Sequence, residues 1–228
     1  VRIRCATWNI HRCIGGDRRW DPDRTLKVIQ SLDADVIALQ EVETGRGNAL
    51  LQGFAEGTGM QALAGPTMVS ERGHYGNAVL TRLSVRDLDR VDLSVAGHEP
   101  RGALVVDLDA PEGRTLEVVA THLGLSPGER REQVRRLLET LPPIEKEGPG
   151  VLMGDFNEWF LWGRPLRWLR ARYEHTPHLA TFPTRHPLLS LDRIWVRPRD
   201  CLVELETVRD DLTRTASDHL PLRAVVEL

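Results

Sequence analysis

At 228 residues the chain is longer than the common domain size of about 100–150 residues, yet within the roughly 200–250 that one β-rich or α/β unit occupies, so residues 1–228 are expected to form one domain. Apolar residues make up 41%, and the longest uncharged apolar stretches fall far short of the roughly 20 residues a membrane helix needs. A net charge of -3 removes the broad cationic footprint of most duplex-binding proteins and disfavours tight non-specific DNA binding.

Three cysteines, Cys5, Cys13 and Cys201, show no C-x-x-C spacing, which argues against a disulfide framework and a zinc ribbon and for reduced, incidental thiols. The first ten residues enter a strand pattern without the basic start and small-residue cleavage site of a secretory signal. A cytoplasmic location is expected, although a processed secreted chain would read the same way.

In chain order, Ile3 to Asn9 alternates like a strand and stops at a polar cluster, Asn9 to His11. Asp21-Pro22 supplies an N-cap and a first-turn proline, and Leu26, Ile29 and Leu32 continue as an amphipathic helix of about three turns. Val36 to Leu39 reads as a buried strand ending at Gln40-Glu41, Asn48 to Gly57 as a shorter helix and Gly76 to Arg82 as a strand. Arg101–Asp107 and Thr115–Thr121 flank the turn-like Ala110-Pro111-Glu112-Gly113, a hairpin. Ser126-Pro127-Gly128-Glu129 is a capping box opening a helix with Val134, Leu137, Leu138 and Leu141 on one face, and Pro142-Pro143 ends it. Gly150–Met153 is a short buried strand and Pro165–Tyr173 a helix. Leu191–Val196, Leu202–Leu205 and Pro221–Leu228 complete the strands. Arginines crowd at 18–19, 130–136 and 164–172, either as solvated helix faces or as local anion-binding patches. Hairpins mixed with crossovers exclude a purely parallel sheet and favour two sheets packed face to face with helices outside.

The ends of these strands carry Asn9, Glu41, Asn77, Arg101, His122, Asp155 with Asn157, Asp192, and Asp218 with His219. Such groups are poor core material, because an unpaired buried charge costs several kcal/mol. A divalent metal with a phosphate would compensate them. Each alone has an ordinary structural explanation, such as a turn asparagine or a satisfied core histidine; their order is the informative feature.

Thr-Trp-Asn-Ile-His at 7–11, Leu-Gln-Glu-Val at 39–42, Gly-Asn-Ala-Val-Leu at 76–80, Thr-His-Leu at 121–123, Gly-Asp-Phe-Asn at 154–157, Leu-Asp-Arg-Ile at 191–194 and Ser-Asp-His at 217–219 together resemble the endonuclease/exonuclease/phosphatase superfamily. The resemblance spans the chain. It implies a four-layer α/β/β/α sandwich with two packed mixed sheets, and a magnesium-dependent phosphoesterase, with manganese as a possible substitute. By the same resemblance Glu41 holds the metal with Asn9 beside it and Asp218 as a second carboxylate. Asp155 orients or deprotonates the attacking water, and Asn157, His122 and His219 face the phosphate. Asp192 partners His219, Glu71 is a candidate partner for His122, and Asn77 and Arg101 contact phosphate or fix neighbouring loops.

The chain departs from the abasic-site endonuclease pattern, which has an aspartate where His11 stands, and it lacks a clear counterpart of that branch's DNA-wrapping loops. Trp159, Phe160, Trp162 and Trp168 follow Asp155 and Asn157. They either pack their own loop and helix or meet substrate, Trp159 first, or a membrane surface. The expected partner is a phosphate ester, with a small or lipid-linked one ranked ahead of nucleic acid; no protein partner is evident. A DNA nuclease of the same superfamily and a catalytically silent binding module are the competing readings.

Overall fold

The computed structural model describes residues 1–71, 73–142, 148–174 and 176–228. The first half runs β1 (Arg2–Asn9), α1 (Pro22–Ser31), β2 (Val36–Glu43), α2 (Ala49–Thr58), β3 (Gln61–Ser70), β4 (Gly73–Thr81) and β5 (Ser84–Asp92). It continues with β6 (Gly102–Ala110), β7 (Arg114–His122), α3 (Pro127–Thr140), β8 (Gly150–Asp155) and α4 (Arg164–Tyr173). The last segment holds β9 (Asp192–Arg197), β10 (Leu202–Thr207), α5 (Asp211–Ala216) and β11 (Leu222–Glu227).

These strands form two sheets, ordered β10-β11-β1-β2-β4-β3 and β5-β6-β7-β8-β9. Each contains one parallel pair, β1 with β2 and β7 with β8, and its other pairings are antiparallel. A parallel pair needs a crossover; α1 provides it in the first sheet and α3 in the second. Alternation along the strands then sorts the apolar residues. Val36, Ala38, Val118, Ala120, Val151 and Met153 fill the space between the sheets. Ile37 and Leu39 turn outward to meet Val28, Ile29 and Phe54 of α1 and α2. Val119, Leu152 and Trp195 turn outward on the other side to meet Val134 and Leu137 of α3 and Leu166 and Leu169 of α4. The result is the four-layer α/β/β/α sandwich.

This topology decides where the polar residues go. The carboxyl ends of β1, β2, β7 and β8 reach the same edge of the sandwich, as do the amino ends of their antiparallel neighbours β9 and β11. Asp155 pairs in register with His122 on one side and Asp192 on the other. Across the inter-sheet space Asn9 reaches Asp155 directly.

Two strands, β3 and β5, have no counterpart among the elements expected from sequence. Both are edge strands, and β5 carries Arg86, Asp87, Asp89 and Arg90. Charged side chains suit an edge that must not recruit another strand, and they erase the apolar alternation that marks a buried one. The six-residue α5, capped by Asp210, is likewise an addition. The capping box on α3 forms between Ser126 and Glu129; of the Pro142-Pro143 stop, Pro143 lies outside the described residues. Among the described residues no helix is long and apolar enough to cross a membrane.

Candidate active site

Glu41 is aimed by a bulge. Leu39 and Val42 both pack on the helix side of β2, a spacing of three that regular alternation forbids, and the pairing with β4 shifts register between them. The extra residue is absorbed at Gln40-Glu41, where Glu41 takes a left-handed φ of 55°. A bulge of this kind re-aims a side chain at a sheet rim. Below it, Gln40 is held by the Thr7 hydroxyl. The Asn9 amide Nδ2 then donates to Glu41 Oε1 at 3.1 Å and to Asp155 Oδ2 at 3.0 Å. Its Oδ1 accepts the His11 backbone N–H at 3.0 Å, which fixes the amide's orientation. Asn9 thus presents hydrogens to both carboxylates and acts as their positioner, whereas the sequence motif groups it with the metal-holding residues.

Asp155 depends on the residue before it. Gly154 has φ 150°, and a Cβ there would stand 1.8 Å from the Thr121 carbonyl, so only glycine fits. Beyond it, Asp155 Oδ1 accepts the Asn157 backbone N–H at 2.9 Å, which turns the loop back over the strand end.

The Ser-Asp-His segment is tied to β1 at two points. Ser217 Oγ donates to the Asn9 carbonyl and accepts the His219 N–H, while the Trp8 indole donates to the His219 carbonyl. The His219 ring is anchored by Asp192, whose Oδ2 lies 2.8 Å from Nδ1. The same Oδ2 accepts the Thr181 hydroxyl at 2.6 Å; the Thr181-Phe182-Pro183-Thr184 segment reads from sequence as a rim loop, but not as the partner of Asp192. Burial alone favours a neutral ring, but Asp192 and then Asp155 overcome it, and the pKa of His219 is pushed up to about 10. His219 is an imidazolium at neutral pH, with Nε2 3.8 Å from Asp155 Oδ2.

His122 is its opposite. Its Nε2 also faces Asp155 Oδ2, at 3.6 Å, yet donors crowd both ring nitrogens: Arg101 Nη1 stands 3.1 Å from Nδ1 and Asn157 Nδ2 3.1 Å from Nε2. Complete burial pushes its pKa down to about 3, against the pull of Asp155 and with the help of Arg101. One carboxylate therefore lies between a charged and a neutral histidine. Glu71 is exposed at the β3–β4 turn, and His122 meets Arg101 where that glutamate was expected. Arg101 is itself paired with Glu99 at 3.0 Å.

These groups open into a cavity of about 410 Å³ lined by Glu41, Arg101, His122, Asp155, Asn157, Trp159 and His219. Arg12, Tyr75, Glu99, Leu125, Phe182, Leu189 and Leu191 complete its wall, and none of these seven is given a catalytic, substrate or metal role by the sequence motifs. Arg12 directly follows the first motif and stacks over Tyr75 at 4.8 Å. Adjacency to a motif marks Arg12 and Tyr75, whereas Glu99 and Phe182 adjoin none. Asn9, Asp192, Asn77 and Asp218 fall outside the lining; the first two sit behind the lining groups they hold. Asn77 is buried and donates to the Gly102 carbonyl at 2.9 Å, so it fastens β4 to β6 across the sandwich instead of presenting its amide to substrate. Asp218 is half-exposed and lies 3.7 Å from His11 Nδ1.

The donor set suits a hard cation. Burial raises the pKa of Glu41, with Asp155 and Asp218 adding to the rise, so carboxylates have been brought together at an electrostatic cost that a divalent ion would offset. Asp155, Asp192 and His219 also form a buried group of metal-ligating type. There, however, Nδ1 is spent on Asp192 and both carboxylates raise the ring's pKa, so in this arrangement the trio positions charge. Oxygen donors around Glu41 and Asp155 fit magnesium better than zinc.

A family model described as Endonuclease/Exonuclease/phosphatase family matches residues 6–219. The uncharacterized protein YbhP of Escherichia coli K12 is 31% identical over 246 residues, covering 99% of this chain and 96% of the relative. A functionally unknown conserved protein from Enterococcus faecalis V583 superposes with a TM-score of 0.83 at 21% identity, over 99% of this chain and all (100%) of the other. The mannosyl-6-phosphatase Bt3783 of Bacteroides thetaiotaomicron VPI-5482 superposes with a TM-score of 0.76 at 17% identity, over 98% of this chain and 99% of the other.

Proposed function

Because this chain belongs to the endonuclease/exonuclease/phosphatase family, whose members are phosphatases and nucleases, we propose that it is a magnesium-dependent phosphoesterase in which water attacks phosphorus directly. The observation that carries this reading is the Asn9 amide touching both Glu41 and Asp155, with the His122 and His219 rings both within 4 Å of Asp155 Oδ2. Glu41 would hold the ion from its bulge, with Asp218 outside the cavity wall as a further carboxylate; once bound, the ion polarises the phosphoryl group and neutralises its charge.

The remaining roles follow from donor and acceptor character. Asp155 is the acceptor that orients the water and takes its proton. His219 donates from Nε2 to a phosphoryl oxygen and stabilises the charge that grows there, with Asp192 holding it protonated. Asn157 and His122 flank the same oxygens, and Arg101 adds positive charge on the far side. A new P–O bond forms to water while the bond to the leaving oxygen breaks, that oxygen departing as an alkoxide that takes a proton from solvent, and no group of the protein is covalently modified.

A small or lipid-linked phosphate ester is the proposed substrate, ahead of nucleic acid. The net charge of -3 and the aromatic rim at Trp159 support that order. A cytoplasmic location accompanies it, in keeping with the free cysteines Cys5, Cys13 and Cys201; fractionation of cells carrying the tagged chain checks the location.

The test is a panel of sugar phosphates, inositol phosphates, phospholipids, nucleotides and plasmid DNA with magnesium, with manganese in a parallel series. Turnover should disappear with chelator and fall on the order of 10²–10⁴-fold in Asp155→Asn and His219→Ala proteins that retain the fold. Full turnover in either variant overturns the roles assigned to Asp155 and His219, and plasmid nicking without ester hydrolysis reverses the substrate order.

A further inference from the structure

Most surface apolar side chains are scattered, but one group is not. Leu125 is 67% exposed, and Trp159, Phe160, Leu161 and Trp162 are 43%, 45%, 41% and 72% exposed. Leu125 and Trp159 border the active-site cavity. Phe160 and Trp162 continue outward to a groove of about 620 Å³ floored by Pro127 and flanked by Arg131, Arg164 and Arg167. A run of exposed tryptophan, phenylalanine and leucine of this size is not left to water without a reason.

The loop is anchored in this exposed position. Arg130, fully buried, donates to Glu158 Oε2 and to the carbonyls of Gly124 and Leu125, so both loops that carry the apolar residues are fastened to one guanidinium. Exposure is therefore built in.

The charge around it points to the partner. Arg135 and Arg136 on the outer face of α3 are neutralised by Glu132 and Glu139. Arg131, Arg164 and Arg167 are exposed, and among the described residues none has a carboxylate within ion-pair distance. A chain of net charge -3 thus concentrates uncompensated cations beside this apolar rim. Aromatic and aliphatic residues flanked by arginine match the interfacial zone of an anionic bilayer, where rings and leucines enter the headgroup boundary and cations meet phosphate.

Single-stranded nucleic acid fits less well. Trp159 and Phe160 contact each other at 5.8 Å and 51°, and Phe160 and Trp162 at 5.5 Å and 45°. Rings tilted onto one another leave no parallel slot for a base, and leucines contribute nothing to stacking.

We propose that the Leu125 and Trp159–Trp162 rim, with Arg131, Arg164 and Arg167, docks the protein reversibly on an anionic lipid bilayer and brings the active-site mouth to phosphate esters at that surface. The proposal rests on the phosphoesterase reading only for what the docked site meets.

The test uses the full chain in chelator, where no turnover occurs, with vesicles of phosphatidylcholine alone or with roughly one-third phosphatidylglycerol. The anionic vesicles should co-sediment the protein, shift its tryptophan emission to the blue and allow quenching by brominated acyl chains. Phe160→Ser with Trp162→Ser should remove the shift and the quenching, and Arg164→Glu with Arg167→Glu should weaken binding at least about tenfold. Both double variants should keep the wild-type circular dichroism and the wild-type turnover of a soluble ester. Absence of binding to anionic vesicles, equal binding by either double variant, tighter binding to a single-stranded oligonucleotide, or a dimer in light scattering that the aromatic variant dissolves would each overturn the proposal. Vesicle binding is read without hydrolysis, and soluble-ester turnover without vesicles. A failure of docking and a failure of the phosphoesterase reading therefore show up in separate measurements.

Discussion

His219 and His122 are the same residue type within 4 Å of one carboxylate oxygen, and their neighbours drive them to opposite charge states. The Asp192 carboxylate is what separates them. In Asp192→Asn, His219 loses its principal anionic partner, so its pKa falls from about 10 toward its ordinary range. Turnover should drop on the order of 10²-fold, and the high-pH limb of the rate profile should move toward neutrality. The linkage has a definite sign. A histidine whose folded pKa is raised contributes stability that is full below its unfolded value of 6.5 and lost as pH climbs toward about 10. Thermal melts in chelator should show that alkaline loss in the wild type and a reduced one in Asp192→Asn. Thiol chemistry supplies a second residue-scale prediction. Burial pushes Cys5 to about 12 and Cys13 to about 11, whereas Cys201 is partly accessible. Iodoacetamide at mildly alkaline pH should modify Cys201 alone in the native protein and all three thiols in denaturant, read by mass spectrometry.

Among the elements, the loop after β8 depends most on a single contact. Arg130 and Glu158 are buried together, with side-chain exposures of 0% and 3%, and Arg130 also satisfies the carbonyls of the loop that follows β7. Glu158→Ala leaves a buried guanidinium without its anion and should destabilise the protein by about 3–5 kcal/mol, measured by denaturant unfolding. From sequence, the arginines at 130–136 belong to a solvated face or an anion patch. That holds for exposed Arg131 and Arg135 but not for Arg130, which stands four residues before Val134 on the apolar face of α3; the periodicity turns it inward, and only packing supplies its partner Glu158. β5 is hidden in the sequence for the converse reason, since an edge strand facing water need not alternate. α1 and α3 are legible because an N-cap with a first-turn proline is a local signal, satisfied by the Asp21 and Ser126 side chains.

At the scale of the whole molecule, two parallel strand pairs, one in each sheet, bring their carboxyl ends together, and Asn9 joins them. A cation shared by Glu41 and its neighbours would bind the folded chain alone, because unfolding separates residues 41 and 155. Magnesium should therefore raise the melting temperature, with a stabilisation near 2.7 kcal/mol at about 100 times its dissociation constant. Glu41→Gln should abolish the rise, and calorimetric melts with and without chelator measure it.

The motifs at 7–11, 39–42, 76–80, 121–123, 154–157, 191–194 and 217–219 point to the family and the layered fold through their order, because each sets a polar residue at a strand end while none is decisive alone. Their charge states are not legible. Whether a histidine is cationic or neutral depends on which groups lie within a few ångströms, and Arg101 meets His122 only once β6 pairs with β7, as Thr181 meets Asp192 only once the loop before β9 folds back on it. Nor does one-dimensional pattern show that Asn77 spends its amide on Gly102 while Arg12 and Tyr75 form the cavity wall. The chain's local chemistry determined which residues had to be compensated. Tertiary packing decided what compensates them, because electrostatic interactions act through distance in space and not along the chain.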